Sequence, residues 1–352
     1  MKPAKLNYGD KVAIVSLSGG VLGEKFVAHE LELGIKRLEE FGLTPVFMPN
    51  SKKGIAYTQK NPKARIADLK AAFLDKEIKG IICAIGGDDG YKAVPYMLGD
   101  PEFAEAVKNN PKVFMGFSDT TVHHLALNKL GLDTFYGPSF LCDFAELDTD
   151  MLSYTKYWVL NMFINRKVTP LEGSKVWYKE RTDFSPAALG TPRDVFLEER
   201  GYIAPCAGGI AEGKLYGGCI DTIYRWLKPY QPGAKEICSK YNIFDGNTTG
   251  KILFLDTSDN KPEPKKFKEM LLAIKETGAF DKCAGVLFGK PQDEAYFEEY
   301  LQVIKELLPD KKVLYNLNFG HATPRCVMPY DCNCRVDLDK LTVEFTGPMF
   351  SK

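Results

Sequence analysis

Lys112-Val113-Phe114-Met115-Gly116-Phe117-Ser118-Asp119-Thr120-Thr121 reads as a short apolar strand, a sharp turn and the start of a helix. Gly116 gives the chain room to turn, and serine, aspartate and threonine are residue types that begin helices. A serine at such a corner presents its hydroxyl beside the free N–H groups of the following helix. The stretch departs from the G-x-S-x-G elbow, because Thr120 stands where the second glycine would be. Two readings follow. Ser118 is a nucleophile, or Ser118 or Asp119 caps a helix and does nothing more.

The same alternation extends upstream. Residues 11–16 are an apolar run ending in Leu17-Ser18-Gly19-Gly20, and residues 24–41 carry a helical period through Phe26, Leu31, Ile35 and Leu38, closed by Gly42. Strands are expected at 44–48 and 80–85, and helices at 62–73 and 93–98. The Ser118 strand, a helix to about residue 130 and a strand at 134–137 complete this half. Strand and helix in alternation predict an α/β fold with an N-terminal parallel sheet covered by helices on both faces. Ligands of such sheets sit beyond the carboxyl ends of the strands. Three polar or glycine-rich loops, 16–20, 86–90 and 116–120, fall at such ends and point to a site at the Ser118 turn.

Downstream, a helix is expected at 150–165, and then the periodicity dissolves from 166 to 201 among Pro170, Pro186, Gly190 and Pro192. That stretch reads as an interdomain segment or long binding loop. It carries Trp177-Tyr178, whose flat faces either cover a substrate or pack on the neighbouring domain. Further strands are expected at 214–219, 251–256, 285–289 and 312–315, with helices to 227, at 264–277 and at 294–308. A terminal hairpin pairs 334–338 with 341–345 around Asp339-Lys340. The organisation expected is a domain at 1–165 with the nucleophile, an interdomain segment and substrate loop at 166–205, and a domain at 206–352 with the acid and base.

The 352 residues carry a formal net charge of zero, which gives no electrostatic case for nucleic acid or an anionic membrane as partner. The start, Met1-Lys2-Pro3-Ala4-Lys5, does not read as a signal peptide, and no apolar run reaches transmembrane length, so a soluble, cytoplasmic protein is expected. Nine scattered cysteines fit reduced thiols. Cys326, Cys332 and Cys334 with His321 offer zinc donors, but C-x-C is tight for two ligands on one ion, and Cys334-Arg335-Val336-Asp337-Leu338 alternates like a strand. No metal and no cofactor is expected.

A serine nucleophile needs a base, commonly histidine. His29 lies within an expected helix. His123 and His124 follow Ser118 along its helix and point away from the turn. His321 follows a strand, beside Gly320 and near Pro324, last in chain order as in α/β hydrolases. Asp256, at the end of the 251–256 strand, fits the acid that orients the imidazole, with Asp259 the near alternative. The N–H of Asp119 and a glycine N–H from the Gly86-Gly87 turn suit an oxyanion. Two other classes compete. Gly86-Gly87-Asp88-Asp89-Gly90 is similar to the G-G-D-G-T turn of diacylglycerol and NAD kinases, although Asp89 intervenes and Tyr91 replaces the threonine. A non-catalytic small-molecule binding protein would share the cleft without the Ser, acid, His order.

Seven ordered pieces carry a resemblance to a family. They are Gly9-Asp10-Lys11-Val12-Ala13-Ile14-Val15, Ile85-Gly86-Gly87-Asp88-Asp89, Gly116-Phe117-Ser118-Asp119-Thr120-Thr121, Phe135-Tyr136-Gly137-Pro138, Leu215-Tyr216-Gly217-Gly218-Cys219, Ile252-Leu253-Phe254-Leu255-Asp256-Thr257-Ser258 and Phe319-Gly320-His321-Ala322-Thr323-Pro324. Over nearly its whole length the chain resembles the LD-carboxypeptidase family of serine peptidases, within it the microcin C self-immunity-like branch. The resemblance implies a C-terminal α+β domain built around a small β-barrel, a homodimer, and metal-free amide hydrolysis in the cytoplasm. The substrate it implies is a small peptide, a murein peptide or a peptidyl-nucleotide. It implies Ser118 as nucleophile, His321 as base, backbone oxyanion donors at Gly87 and Asp119, and the acid at Asp256, where the family has glutamate. Asp88, Trp177 and Cys219 are the substrate-binding candidates it suggests, Trp177 as the aromatic that stacks on a nucleotide. The Gly-Gly-Asp-Asp turn resembles the immunity branch rather than the murein-recycling branch, which has Gly-Tyr-Gly there.

Overall fold

The computed structural model describes residues 1–165 and 170–351. The expected start of the interdomain segment, residue 166, lies outside the described residues.

The first half forms β1 (Lys11–Val15), β2 (Thr44–Phe47), β3 (Ile78–Cys83), β4 (Val113–Gly116) and β5 (Phe135–Tyr136). They pair in parallel in the order β5-β4-β3-β1-β2. Val12, Ala13, Ile14, Ile81 and Phe114 have no exposed surface, as both-face coverage by helices requires. Each large apolar side chain buried this way contributes about 1.5–3 kcal/mol. Two helices not expected from the sequence appear, Ile55–Lys60 and Pro101–Asn109. The second is capped by Asp100, whose carboxylate accepts from Glu102 N at 2.9 Å, and it buries Phe103, Ala106 and Val107.

The stretch read as patternless contains a hairpin of β6 (Val176–Tyr178) and β7 (Val195–Leu197), with Trp177 opposite Phe196. Three-residue strands are too short to show an alternating pattern, which is why the sequence hides them.

The second half contributes β8 (Ile210–Cys219), β9 (Lys251–Asp256), β10 (Gly285–Gly289), β11 (Val313–Leu317), β12 (Met328–Pro329), β13 (Asn333–Asp337) and β14 (Thr342–Phe345). β8 to β11 run parallel, and the expected hairpin of β13 and β14 continues the sheet past β8, giving the order β11-β10-β9-β8-β13-β14. This sheet curls into a half-barrel. Its two outer strands are flanked by one segment: Leu171 N donates to Val343 O at 2.8 Å, and Ile203 bridges Tyr315. β12 leaves this half altogether and pairs antiparallel with β5 of the first sheet, Met328 opposite Tyr136.

Candidate active site

The carboxyl ends of the two sheets meet. From the first come the loops after β1, β3 and β4 and the last residue of β5. From the second come Cys219, Asp256 and, just past β11, His321. Cys219 and Asp256 are direct partners on neighbouring parallel strands.

Ser118 sits between β4 and the helix Thr121–Lys129 with φ +64°, left-handed backbone that a serine seldom adopts. Such a conformation costs about 1–3 kcal/mol and persists only where its surroundings enforce it. Here Thr121 Oγ1 donates to Ser118 O at 2.7 Å, and Gly86 lies directly underneath. A Cβ on Gly86 would stand 2.7 Å from Ser118 Cβ and 2.8 Å from its Oγ, so only glycine fits.

The expected convergence of three loops holds, and the Asp119 side chain organises it. Its carboxylate accepts from Ser18 Oγ at 2.5 Å and Gly90 N at 2.8 Å, and meets Arg225 Nη2 at 3.3 Å. Gly19 N donates to Gly86 O at 2.8 Å, which joins the first loop to the second. Asp89 is held by a buried two-pronged pair with Arg65, at 2.7 and 2.8 Å. Gly87 and Asp88 remain exposed at the rim, where Asp88 O accepts from Gln231 Nε2 at 3.0 Å.

Asp256 and His321 meet directly. His321 Nδ1 lies 2.6 Å from Asp256 Oδ2, and His321 N donates to the same oxygen at 3.1 Å. Both residues are buried, and His321 Nε2 has no hydrogen-bond partner among the described residues. Burial pulls the His321 pKa down, but the charge and hydrogen bond of Asp256 outweigh it, so the net shift is upward from 6.5. The ring packs edge-on against Phe117, the residue before Ser118, at 5.1 Å between centroids. Arg325 stacks its guanidinium on the other partner of that contact, 4.2 Å from the Phe117 ring centre, and donates to His321 O at 3.0 Å and Asp143 Oδ2 at 3.1 Å.

Tyr136 connects the two halves. Its hydroxyl donates to Asp256 Oδ1 at 2.7 Å and accepts from Ser118 N at 3.2 Å. It lies in Phe135-Tyr136-Gly137-Pro138, at the end of the strand beside that of Ser118, and that position is the signal its sequence offers. Arg65 and Arg325 carried no comparable signal, being single arginines in a helix and a loop.

The remaining histidines are occupied elsewhere. His124 is buried between Thr134 Oγ1 at 2.8 Å and Gly116 O at 2.9 Å. Burial lowers its pKa to about 3, and burial together with the Arg65 charge does the same for His123. His29 begins its helix rather than lying mid-way, with Nε2 3.1 Å from Phe184 O. Trp177 is half-buried, stacked on Phe196 at 4.5 Å. The next residue, Tyr178, donates its N–H to Thr323 O at 2.9 Å, so the hairpin abuts the His321 loop. Cys326 Sγ contacts Met328 Sδ at 3.8 Å, and Cys332 Sγ lies 3.5 Å from Asn333 O and Gly347 O. Among the described residues, the set of thiol, imidazole and carboxylate that gathers is Cys219, Asp256 and His321.

This is an α/β architecture with a strained strand-end serine, whose neighbour Phe117 packs against a carboxylate-held imidazole. Residues 12–137 match the LD-carboxypeptidase N-terminal domain and residues 212–336 the LD-carboxypeptidase C-terminal domain, and the chain belongs to this family of peptidases. A MccF-like protein from Streptococcus pneumoniae, solved in complex with AMP, superposes with a TM-score of 0.92 at 42% identity, covering 96% of this chain and 99% of that one. A probable murein peptide carboxypeptidase of Bacillus subtilis is 26% identical, over 93% of this chain and 89% of its own. The microcin C7 self-immunity protein MccF of Escherichia coli is 24% identical, over 90% of this chain and 88% of its own. Among the described residues no helix is long and apolar enough to cross a membrane.

Proposed function

We propose that this chain is a serine-type hydrolase that cleaves the bond joining an aminoacyl or peptidyl group to a nucleotide. The observation that carries the hydrolytic part is the buried imidazole of His321, held through Nδ1 by Asp256 at 2.6 Å, bare at Nε2 and packed against Phe117, the residue before Ser118. Ser118 Oγ attacks the carbonyl carbon while His321 Nε2 takes its proton and returns it to the leaving group. Asp256 fixes the tautomer and stabilises the imidazolium. The backbone N–H groups of Gly87 and Asp119 receive the oxyanion. Water, deprotonated by the same imidazole, then releases the acyl group from Ser118. No step in this scheme calls on a metal ion. Asp88, Trp177 and Cys219 contact the substrate around this centre.

The nucleotide is supported by the likeness, at 42% identity, to a protein solved with AMP. A second reading, removal of a carboxy-terminal residue from a murein peptide, is favoured by the name of the Bacillus subtilis relative. The test has two parts. A serine-directed phosphonate should label Ser118 and leave the Ser118→Ala protein unlabelled. A panel of an aminoacyl-adenylate analogue and a murein tetrapeptide should show turnover of the first, lost by at least about a thousand-fold in Ser118→Ala. Turnover of the tetrapeptide alone selects the second reading, and absence of both labelling and turnover defeats the hydrolase.

A further inference from the structure

We propose that Cys219, Asp256 and His321 form a binding site for a thiophilic divalent cation, zinc foremost, and that its occupation switches the hydrolytic centre off. One donor atom from each of the three lies within 4.8 Å of the others, and all three residues are buried. Three atoms so placed share a point no more than about 2.8 Å from each (4.8 Å divided by √3). Zinc bonds run about 2.0–2.3 Å to nitrogen, oxygen and sulfur, so side-chain movements of about half an ångström close the site.

The donors suit the ion. A thiolate and an imidazole select zinc over magnesium or calcium, and three protein ligands with one open position are common for zinc at a reactive centre. The thiol is lightly held, Cys219 Sγ making a distant contact to Asp221 Oδ2 at 4.0 Å. His321 Nδ1 faces the carboxylate at 2.6 Å, and the ion takes the place of the proton between them, the ring keeping its proton on Nε2. The backbone of Cys219 is anchored, its N–H donating to Thr121 Oγ1 at 3.0 Å, so the sulfur is presented from a fixed point. Strand pairing sets Cys219 beside Asp256, and the imidazole is attached to that same carboxylate.

The exchange balances in charge and protons. The entering cation displaces the thiol proton to solvent and forms a metal–thiolate bond. The imidazole binds through a lone pair, and an imidazolium first gives up its extra proton. Nothing is oxidised or reduced. A metal-bound His321 cannot take a proton from Ser118, which is the source of inhibition. That last step rests on the catalytic roles proposed above, whereas the binding does not.

Binding is therefore measured first without turnover. Cobalt(II) added to the Ser118→Ala protein should give the intense absorption of a cobalt–thiolate, and Ser118→Ala/Cys219→Ser should lose it. Zinc sulfate should compete for the site, and chelator should reverse it. In the wild type, zinc at micromolar concentration should abolish turnover reversibly. Cys219→Ala and Cys219→Ser, each scored against its own uninhibited rate, should need at least ten-fold more zinc. An undiminished cobalt–thiolate band in the Cys219→Ser protein, or no band in its parent, overturns the site. A Cys219-dependent band with turnover untouched by zinc upholds the site and overturns the catalytic roles of His321 and Asp256 instead.

Discussion

Asp256 is one methylene shorter than the glutamate expected from the family, and the backbone around it makes up the difference. Gly320, at φ +82°, lies so close that a Cβ there would collide with the carboxyl group, and a Cβ on Gly289 would stand 2.9 Å from Asp256 Cβ. The chain carrying His321 is thus drawn onto the acid, which explains how the shorter side chain reaches Nδ1. The same crowding leaves no space for a longer one. Asp256→Glu should lower kcat by at least about ten-fold, from overpacking costs of about 1–3 kcal/mol, and steady-state kinetics would show it. In the proposed scheme a His321 pKa raised above 6.5 sets the pH profile. The base works only when neutral, so kcat/KM should fall as pH drops through a value above 6.5 and level off on the alkaline side. Tyr136→Phe removes a hydrogen bond from the Asp256 carboxylate and the acceptor of Ser118 N. A carboxylate without that donor holds the imidazolium more tightly. The acid limb should therefore move further up in pH, with kcat reduced about ten-fold and KM little changed. A merely structural role for Tyr136 would leave the limb where it is.

At the scale of elements, the β6–β7 hairpin depends on one lysine. Lys290, 1% exposed, pairs with Glu198 at 2.8 Å and with Glu294, and its ammonium lies 5.5 Å from the Trp177 ring centre. Glu198 directly follows β7 and is itself buried in its side chain. Lys290→Ala strands that carboxylate, at a cost of about 3–5 kcal/mol. The expected result is a fall in Tm of about 5 °C or more, together with faster proteolysis between β6 and β7. The hairpin was also the element least visible in the sequence, because its two strands hold three residues each and are joined by sixteen residues rich in proline and charge. The strands that deliver Ser118, Asp256 and His321 were legible for the opposite reason. They are continuous apolar runs that stop at a polar residue, which is how a strand buried on both faces and ending at a ligand site must be written. Tyr136 shows the limit of that reading. A tyrosine in a two-residue strand has no periodicity to mark it, and its hydroxyl acquires a role only when β9 is folded against it.

At the scale of the molecule, the halves proposed at 1–165 and 206–352 share a polar seam. Besides the Tyr136 and Arg225 contacts, Asn128 Nδ2 donates to Asp331 Oδ2 at 2.6 Å, and Lys129 Nζ donates to Asn242 O at 2.7 Å. Residues 1–165 expressed alone should lack the near-ultraviolet circular dichroism of packed aromatics, whereas the full chain should unfold in one calorimetric transition. The reason is the crossing of β12 into the first sheet. Its timing during synthesis has a consequence of its own. Met328 leaves the ribosome about 190 residues after Tyr136, the partner it covers, a delay of about 10–40 s at ordinary elongation rates. Through that interval the edge of β5 is bare; Asp256 emerges about 120 residues into it, and His321 only about seven residues before its end. A nascent chain therefore emerges as an inert and adhesive half-sheet, in need of a chaperone's cover, and becomes able to hydrolyse anything only when translation is nearly over.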